Sequence, residues 1–290
     1  MFIVKVLLFA AAAAVMELVF SQAAWAWGPA VHTAISCRIL EQAHLLMPCA
    51  AQVIMSHPLE FLYGSFAADF FVGKGQKKKA GHSHNWETAF RFLAEAGDER
   101  EASYAYGFLS HLAADIPAHN YFVPNLIHQA STWKRMGHLY WEARADYHIG
   151  PVYMRIAKEV LTMEDLGCDR MLISAVGKRL NGLKTRRKLY TQTVRFSDFL
   201  NTTTSPLFIE RSARYRISES YLASMLSLSY RLAVDILRNP GGSPCLGFDP
   251  IGSRNLSVAG RNCLRNRLLL RDNGKEKGPL FPVDSKLLSI

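Results

Sequence analysis

Three residues near the middle of the chain have the types and the spacing of a metal site. His111, Asp115 and His119 lie at positions i, i+4 and i+8 of the segment H-L-A-A-D-I-P-A-H. Because each step of four residues advances about 40° past a full helical turn, the three side chains project from one face. Such a face suits one or two divalent cations, with the carboxylate able to bridge them. We expect Pro117 to bend the helix before His119, which would then face a different ion from His111.

A second pair repeats the imidazole–carboxylate spacing further along the chain. His138 and Glu142 lie four residues apart in H-L-Y-W-E, and Asp146 continues the same helix face. Two such pairs on separate helices are a known way of building metal sites inside helical bundles. Asp146 could orient a ligand histidine, but we favour its interpretation as an ordinary solvated acid.

Two histidines and one acid lie upstream of these pairs. His82 and His84 follow a lysine-rich polar loop expected over residues 73–81, and either could supply a ligand. Asp69 lies in the otherwise apolar run Y-G-S-F-A-A-D-F-F, where an acid needs a partner or a raised pKa. We interpret Asp69 as a candidate catalytic base for a metal-bound water.

The first 26 residues have the organisation of a secretory signal. A short basic start and an apolar run are followed by Ala24-Trp25-Ala26, the small-x-small pattern that signal peptidase reads. Cleavage after Ala26 predicts a secreted or periplasmic protein whose first residue is Trp27. The freed amine and carbonyl of Trp27, with His32 five residues later, offer three good ligands for Zn²⁺.

Apolar residues recur at helical intervals through most of the remaining chain, and no stretch sustains the alternation of a strand. A segment rich in Thr, Ser and Asn over residues 196–206 is expected to be a connection. The pattern predicts an all-α, multi-helix bundle over residues 27–238. The predicted helices span residues 30–47, 86–97, 100–114, 130–149, 151–163 and 212–238.

Charge divides the chain into two unequal halves. Residues 27–169 carry 12 Lys and Arg against 15 Asp and Glu, whereas residues 170–290 carry 21 against 8. All ten histidines lie between His32 and His148, so the acidic half is the one expected to hold a histidine site. The basic half suits an anionic partner, either a phospholipid surface or nucleic acid. Periodicity fades after residue 238, which predicts an irregular basic tail over residues 239–290.

Cysteine usage leaves the disulfide pattern open. Export would permit disulfides, but the count of five is odd and no C-x-x-C pair is present. Cys37 with Cys49, and Cys245 with Cys263, are possible bridges that the sequence does not decide.

Taken in order, the residues over about 27–146 resemble the zinc-dependent phospholipase C family, whose fold is shared with the S1/P1-type nucleases. The H-x-x-E-T context favours His84 over His82 as the family's loop ligand. The spacing from Asp115 to the P-x-H element is two residues shorter than the family's, which leaves His128 as a weak substitute for His119. The matching positions are Trp27, His32, Asp69, His84, His111, Asp115, His119, His138 and Glu142.

The resemblance implies an all-α enzyme that binds about three zinc ions, with Asp69 as the acid beside the attacking water. The implied ligands, grouped by ion, are His84, His111 and Asp115; the Trp27 amine and carbonyl with His32, bridged to the first ion through Asp115; and His119, His138 and Glu142.

These observations predict an exported zinc-dependent phosphodiester hydrolase, a phospholipase C that cleaves phospholipid head-group esters through a metal-bound hydroxide. One alternative is an S1/P1-like nuclease acting on single strands. The lipid enzyme is favoured because the nuclease relatives carry a fuller H-x-x-x-D-x-x-x-P-x-H element with Gln before the Pro. The other alternative is a non-catalytic zinc-binding protein, against which the retained Asp69 argues. Contact with an anionic membrane surface is a further expectation of the basic half.

Overall fold

The secondary structure of the described chain is helical, with no strand among its residues. The computed structural model describes residues 27–70, 83–130, 134–163, 166–176, 180–203, 217–268 and 278–290. The prediction of an all-α fold is confirmed. The helices are α1 Pro29–Glu41, α2 Pro48–Ser56, α3 Pro58–Ala67, α4 Trp86–Glu95, α5 Glu99–Pro117, α6 Val123–Ala130, α7 Lys134–Ile149, α8 Pro151–Leu161, α9 Leu166–Val176, α10 Leu180–Thr203, α11 Glu219–Arg238, α12 Ser253–Leu268 and α13 Ser285–Leu288.

Local sequence signals begin the two helices that lie next to candidate ligands. Pro29 occupies the first turn of α1, where its fixed φ suits the helix and its missing amide hydrogen costs nothing. Asn85 caps α4, because its side-chain oxygen accepts a hydrogen bond of 2.6 Å from the Thr88 amide. These starts place His32 in the first turn of α1 and His84 immediately before α4.

Helices α3 and α5 pack backbone against backbone at two glycines. A β-carbon on Gly64 would lie 2.1 Å from the carbonyl oxygen of Tyr104, and one on Gly107 would lie 2.0 Å from that of Phe61. Only glycine permits so close an approach. The contact brings the C-terminal end of α3 and the turn Ala68–Phe70 that follows it against the last turns of α5.

Helix α5 runs through the core, enclosed by α3, α4 and α11. Its carbonyl at Ala114 accepts hydrogen bonds from the Trp27 indole, at 2.9 Å, and from the Ser229 hydroxyl of α11, at 2.8 Å. The N-terminal end of the described chain and a helix about 200 residues later therefore meet on one carbonyl of α5.

A buried polar network joins α3, α9 and α10. The Tyr63 hydroxyl donates to the Asp169 carboxylate at 2.7 Å, and the Arg187 guanidinium donates to the same carboxylate at 2.9 Å. Asp169 is completely buried, so the arginine supplies the charge that its burial requires. The network fixes α10 beside the end of α3.

Two segments that were predicted to be irregular contain helix. Helix α10 continues through Thr203, inside the connection expected over residues 196–206, because buried side chains such as Tyr190 and Val194 anchor it. Within the tail expected over residues 239–290, α12 is a helix of 16 residues. Tertiary packing outweighs the weak helix propensity of Thr, Ser and Asn in both places.

Several predictions of the sequence lie outside the described residues. They are the secretory signal over residues 1–26, the lysine-rich loop over residues 73–81, and His82. Among the helices that are described, none combines the length and the apolar character needed to cross a bilayer. Neither Cys37 with Cys49 nor Cys245 with Cys263 forms a disulfide, since all four carry free thiols.

Substituting Gly107 with Ala should lower the free energy of unfolding by about 1–3 kcal/mol, because the new methyl group meets the backbone of α3 rather than a side chain that can move. Denaturant unfolding followed by circular dichroism measures the change. Gly182→Ala is the matched control. A β-carbon there meets no atom within 4 Å, and the helix gains up to about 1 kcal/mol. Equal effects of the two substitutions would contradict the packing of α3 on α5.

Candidate metal centre

The carboxylate of Asp115 is completely buried and lies at the centre of a cluster of histidines. His111, one turn earlier on α5, places its Nε2 3.2 Å from Asp115 Oδ2. His119, one turn later, places its Nε2 3.6 Å from the same oxygen. The three side chains that the spacing assigned to one face are therefore in contact with one another.

The backbone that carries His119 is a π-helical turn, Ala118–Phe122, between α5 and α6. The π turn begins directly after Pro117, at the point where we expected the helix to bend. Pro117 has no amide hydrogen to donate, so the regular ladder is interrupted at this point. Single π turns of this kind occur often at functional sites. The wider turn leaves His119 facing Asp115, on the same side as His111.

Two further histidines reach Asp115 from other elements. His32 of α1 places its Nε2 3.1 Å from Asp115 Oδ1, and its ring stacks on His111 with centroids 4.1 Å apart. His84 places its Nε2 3.6 Å from Asp115 Oδ2 and 3.1 Å from His111 Nε2. Residues separated by more than 80 positions in the sequence thus meet at one carboxylate.

Asp69 lies at the edge of the same cluster. It belongs to the turn Ala68–Phe70 that follows α3, and its Oδ1 is 3.4 Å from His84 Nε2 and 3.8 Å from His111 Nε2. Its side chain is almost completely buried. A second carboxylate therefore lies beside the two histidines.

Hydrogen bonds on the far side of two rings fix which nitrogen faces the cluster. His111 Nδ1 is 2.7 Å from the Ser65 carbonyl, which can only accept, so Nδ1 carries the hydrogen. The Ser83 hydroxyl donates to the Ala68 carbonyl at 2.7 Å and is left to accept from His84 Nδ1 at 3.1 Å. In the neutral rings both Nε2 atoms therefore direct lone pairs at the cluster. Backbone and hydroxyl partners of this kind orient histidines that bind metals.

The cluster fits a divalent cation such as zinc. His32 Nε2 and both oxygens of Asp115 are buried and, despite short separations, form no hydrogen bond of acceptable geometry with the described residues. Two groups of three ligand atoms lie within 4.8 Å of one another: His32 with Asp69 and His111, and His84 with His111 and Asp115. Imidazole nitrogen and carboxylate oxygen are ligands that zinc prefers. A cation bound among these atoms would interact with the lone pairs of His32 Nε2 and of the two Asp115 oxygens.

Electrostatics keep the cluster in the protonation state that binds metal. Burial, reinforced by His111, lowers the pKa of His32 and outweighs the opposing influence of Asp115. Burial alone would raise the pKa of Asp115, but the charges of the neighbouring His111 and His32 hold that pKa well below its usual range. The imidazole of His32 is thereby kept neutral and the carboxylate of Asp115 ionised.

Trp27 is placed beside the cluster, although its role as a ligand stays a prediction. Its indole is completely buried, bonds to the carbonyl of Ala114, the residue before Asp115, and packs on Phe122 with centroids 4.8 Å apart. These contacts hold the side chain of Trp27 against α5 and the π turn.

The second predicted pair is described only in part. His138 lies in α7, but its side chain is outside the described residues, whereas Glu142 is buried one turn later. His128, the weak substitute for His119, lies in α6. The ligand roles of His138, Glu142 and His119 remain predictions.

The expectation that Asp146 is a solvated acid is wrong. Asp146 is buried at the N-terminus of α1, where its Oδ1 accepts from the Val31 amide at 3.0 Å. A β-carbon on Gly28 would lie 2.2 Å from its Oδ2. Burial raises the pKa of Asp146 to about 7, against the hydrogen bonds from Val31 and Ala30, and the charge of Glu142 adds to the rise. Asp146 positions α1, and with it His32.

Tyr190 is a residue of this region that the sequence did not indicate. It extends from α10 onto Phe70, edge to face with centroids 5.4 Å apart, and is almost completely buried. Burial, followed by the charges of Asp69, Asp146, Asp115 and Glu142, raises its pKa well above the usual value. The phenol thus stays protonated beside the carboxylates. A lone tyrosine after a basic run carries no signal of such a position.

Comparison with known proteins identifies one family. A family model described as zinc-dependent phospholipase C matches residues 31–187, just over half of the 290 residues. Neither the curated proteins nor the solved structures gave a significant match.

Asp146 should make the metal-free protein less stable as the pH rises from about 4 to about 7. The folded protein keeps the carboxyl proton up to about pH 7, whereas the unfolded chain loses it near 3.8, so the contribution to stability is complete below 3.8 and is lost towards 7. Asp146→Asn removes this dependence, which amounts to about 1.4 kcal/mol per pH unit.

Urea unfolding of chelator-treated protein at several pH values measures the difference between wild type and Asp146→Asn. The exposed Glu159 provides a control, because Glu159→Gln should give a curve parallel to the wild type. If the Asp146→Asn curve were also parallel, the buried, protonated carboxyl would be refuted.

Proposed function

The chain belongs to the zinc-dependent phospholipase C family, and from that premise we propose that it is a phosphodiester hydrolase acting on phospholipid head-group esters. The observation that carries the proposal is the convergence of His32, His84, His111 and Asp69 on the buried carboxylate of Asp115. A cluster that only stabilised the fold would need no second acid facing the lone pairs of His84 and His111.

The proposed enzyme holds about three zinc ions. In the first ligand group all three residues are in contact in the structure, and in the second His32 contacts Asp115. The third group draws on the predicted pair of α7. Grouped by ion, the ligands are His84, His111 and Asp115; the Trp27 amine and carbonyl with His32, bridged through Asp115; and His119, His138 and Glu142.

Zinc bound in this cluster would act as a Lewis acid that binds phosphoryl oxygens and makes water more acidic. Asp69 is the proposed base: its Oδ1, next to His84 and His111, accepts a proton from the attacking water. The water oxygen bonds to phosphorus, the bond from phosphorus to the diacylglycerol oxygen breaks, and that oxygen takes the proton that Asp69 accepted. The products are diacylglycerol and a phosphorylated head group.

The basic half of the chain supports an anionic partner. Residues 170–290 carry 21 Lys and Arg against 8 Asp and Glu, and α10 exposes Lys184, Lys188 and Arg195. We propose that this half contacts an anionic membrane surface, where each basic side chain near the surface contributes about 1 kcal/mol. The same charge would favour single-stranded nucleic acid, which keeps the S1/P1-like nuclease as the second candidate.

The proposed protein is exported, and cleavage after Ala26 completes its site. Trp27 is buried against α5, so an uncleaved chain would carry an amide where the free amine is required. A periplasmic or secreted location is part of this proposal. A non-catalytic zinc-binding protein of the same family is its remaining competitor.

The substrate is tested with protein that begins at Trp27, assayed in parallel on phosphatidylcholine vesicles and on single-stranded DNA. We expect lipid hydrolysis, with zinc content well above one ion per chain. Asp69→Asn should lower the rate by about 10²–10⁴-fold while leaving zinc bound. The exposed Glu95 supplies the control, since Glu95→Gln should keep the full rate. DNA cleavage without lipid cleavage would favour the nuclease, and zinc binding without either activity would favour the non-catalytic protein.

The role of the terminal amine is tested by one added residue. Protein that begins with Met followed by Trp27 should bind one zinc fewer than protein that begins at Trp27, because the α-amine has become an amide. Metal analysis of both proteins after dialysis measures the difference. Equal zinc content and equal activity would exclude the amine of Trp27 as a ligand.

A further inference from the structure

A segment near the C-terminus packs directly on the π turn that carries His119. We name residues 248–255 the C-terminal clamp. Gly252 in this segment has a φ of +60°, and a β-carbon on it would lie 2.2 Å from the carbonyl oxygen of His119 and 2.8 Å from its Cβ. The clamp therefore touches the backbone and the side-chain root of a candidate ligand, although it lies outside the residues that match the family.

Reciprocal hydrogen bonds hold the clamp to the π turn. The Asn120 side-chain amide donates to the Asp249 carbonyl at 2.9 Å, and the Asn255 side-chain amide donates to the Asn120 carbonyl at 2.8 Å. The Asn120 amide also donates to the Ile116 carbonyl at 3.1 Å, in the turn that Pro117 interrupts. The backbone next to His119 is thus held from both sides.

The clamp is shaped by its own aspartate. The Asp249 carboxylate accepts from the amide of Ile251 at 3.0 Å and from the amide of Ser253, the first residue of α12, at 3.2 Å. A side chain that accepts in this way fixes a turn. The left-handed conformation of Gly252 is held between these two bonds, which presents its bare α-carbon to His119.

The clamp also contacts the start of α4, close to His84 in the sequence. The Trp86 indole, two residues after His84, donates to the carbonyl of Phe248 at 3.0 Å. One eight-residue segment therefore contacts the start of α4 and the π turn together. Its position sets the separation between the backbones that carry His84 and His119.

We propose that the C-terminal clamp is a positioning element of the metal centre, with Gly252 and Asn255 as its positioning residues for His119. The π turn is an uncommon conformation, and Pro117, which has no amide hydrogen, ends the regular helix directly before it. The clamp supplies the missing restraint. Without it, the turn relaxes and His119 leaves the position in which it faces Asp115.

The proposal rests on the metal centre of the proposed function but not on hydrolysis, so metal binding is the readout. In Gly252→Ala the new methyl group meets the His119 carbonyl, and the affinity for the most weakly held zinc should fall by about 10–100-fold, as for other residues that orient ligands. Competition with a chelator measures the affinity. The visible absorption of the Co²⁺-substituted protein should change as well, because a cobalt ion loses a ligand.

Gly247→Ala is the matched control, since a β-carbon at this neighbouring glycine meets no atom within 4 Å. It should keep the wild-type zinc affinity and cobalt spectrum. Asn255→Ala is a milder variant, because it removes one hydrogen bond and adds no atom. If Gly252→Ala does not fold, the zinc affinity and cobalt spectrum of Asn255→Ala test the proposal. Thermal unfolding of the chelator-treated proteins shows whether a loss of zinc merely follows a loss of stability.

The outcomes separate this inference from the proposed function. Wild-type zinc affinity and an unchanged cobalt spectrum in Gly252→Ala, or in Asn255→Ala where only that variant folds, would overturn the clamp. Zinc loss in these variants supports it, even if the wild type hydrolyses neither lipid nor nucleic acid. A wild-type protein that binds no zinc would overturn both proposals.

Discussion

The structure is organised around one ionised carboxylate that water does not reach. A buried anion is costly unless positive or hydrogen-donating groups surround it, and Asp115 is surrounded by imidazoles from α1, from the start of α4, from α5 and from the π turn. Neutral rings cannot balance the charge while their lone pairs face inward. The packing of the helices around this charge therefore requires a cation, so the fold and the metal centre depend on the same interactions.

Close contacts between backbones, more than the packing of side chains, bring the ligands together around Asp115. The absence of a side chain at Gly64 and Gly107 lets α3 lie against α5, so the Ser65 carbonyl reaches His111 and the turn with Asp69 closes over the cluster. The absence of a side chain at Gly252 likewise lets the C-terminal clamp lie against the backbone of His119. Three glycines thus permit the close backbone contacts around the cluster of histidines and acids.

Helical spacing could predict the parts of the site that one element carries. His111, Asp115 and His119 share a face because of periodicity alone. Asp69 was indicated by its apolar surroundings and His32 by the expected cleavage site, and the resemblance favoured His84 over His82. The clamp could not be predicted, because a glycine with positive φ and two asparagines have no periodic signature and their partners lie more than 130 residues away. Asp146 was misjudged because the sequence does not show that the N-terminus of α1 lies against it. Tyr190 was not indicated because its position depends on the tertiary packing of α10.

Because segments distant in the sequence meet on α5, the site is complete only after the later segments have been added. Trp27 and Ser229 share the Ala114 carbonyl, and Gly252 lies against His119. A chain that has been synthesised or translocated only as far as α10 possesses all ten histidines, but it lacks both α11 and the C-terminal clamp. Such a chain would present loosely arranged ligands instead of a closed cage. Metal binding would therefore occur late in folding, when nearly the whole polypeptide is present and folded.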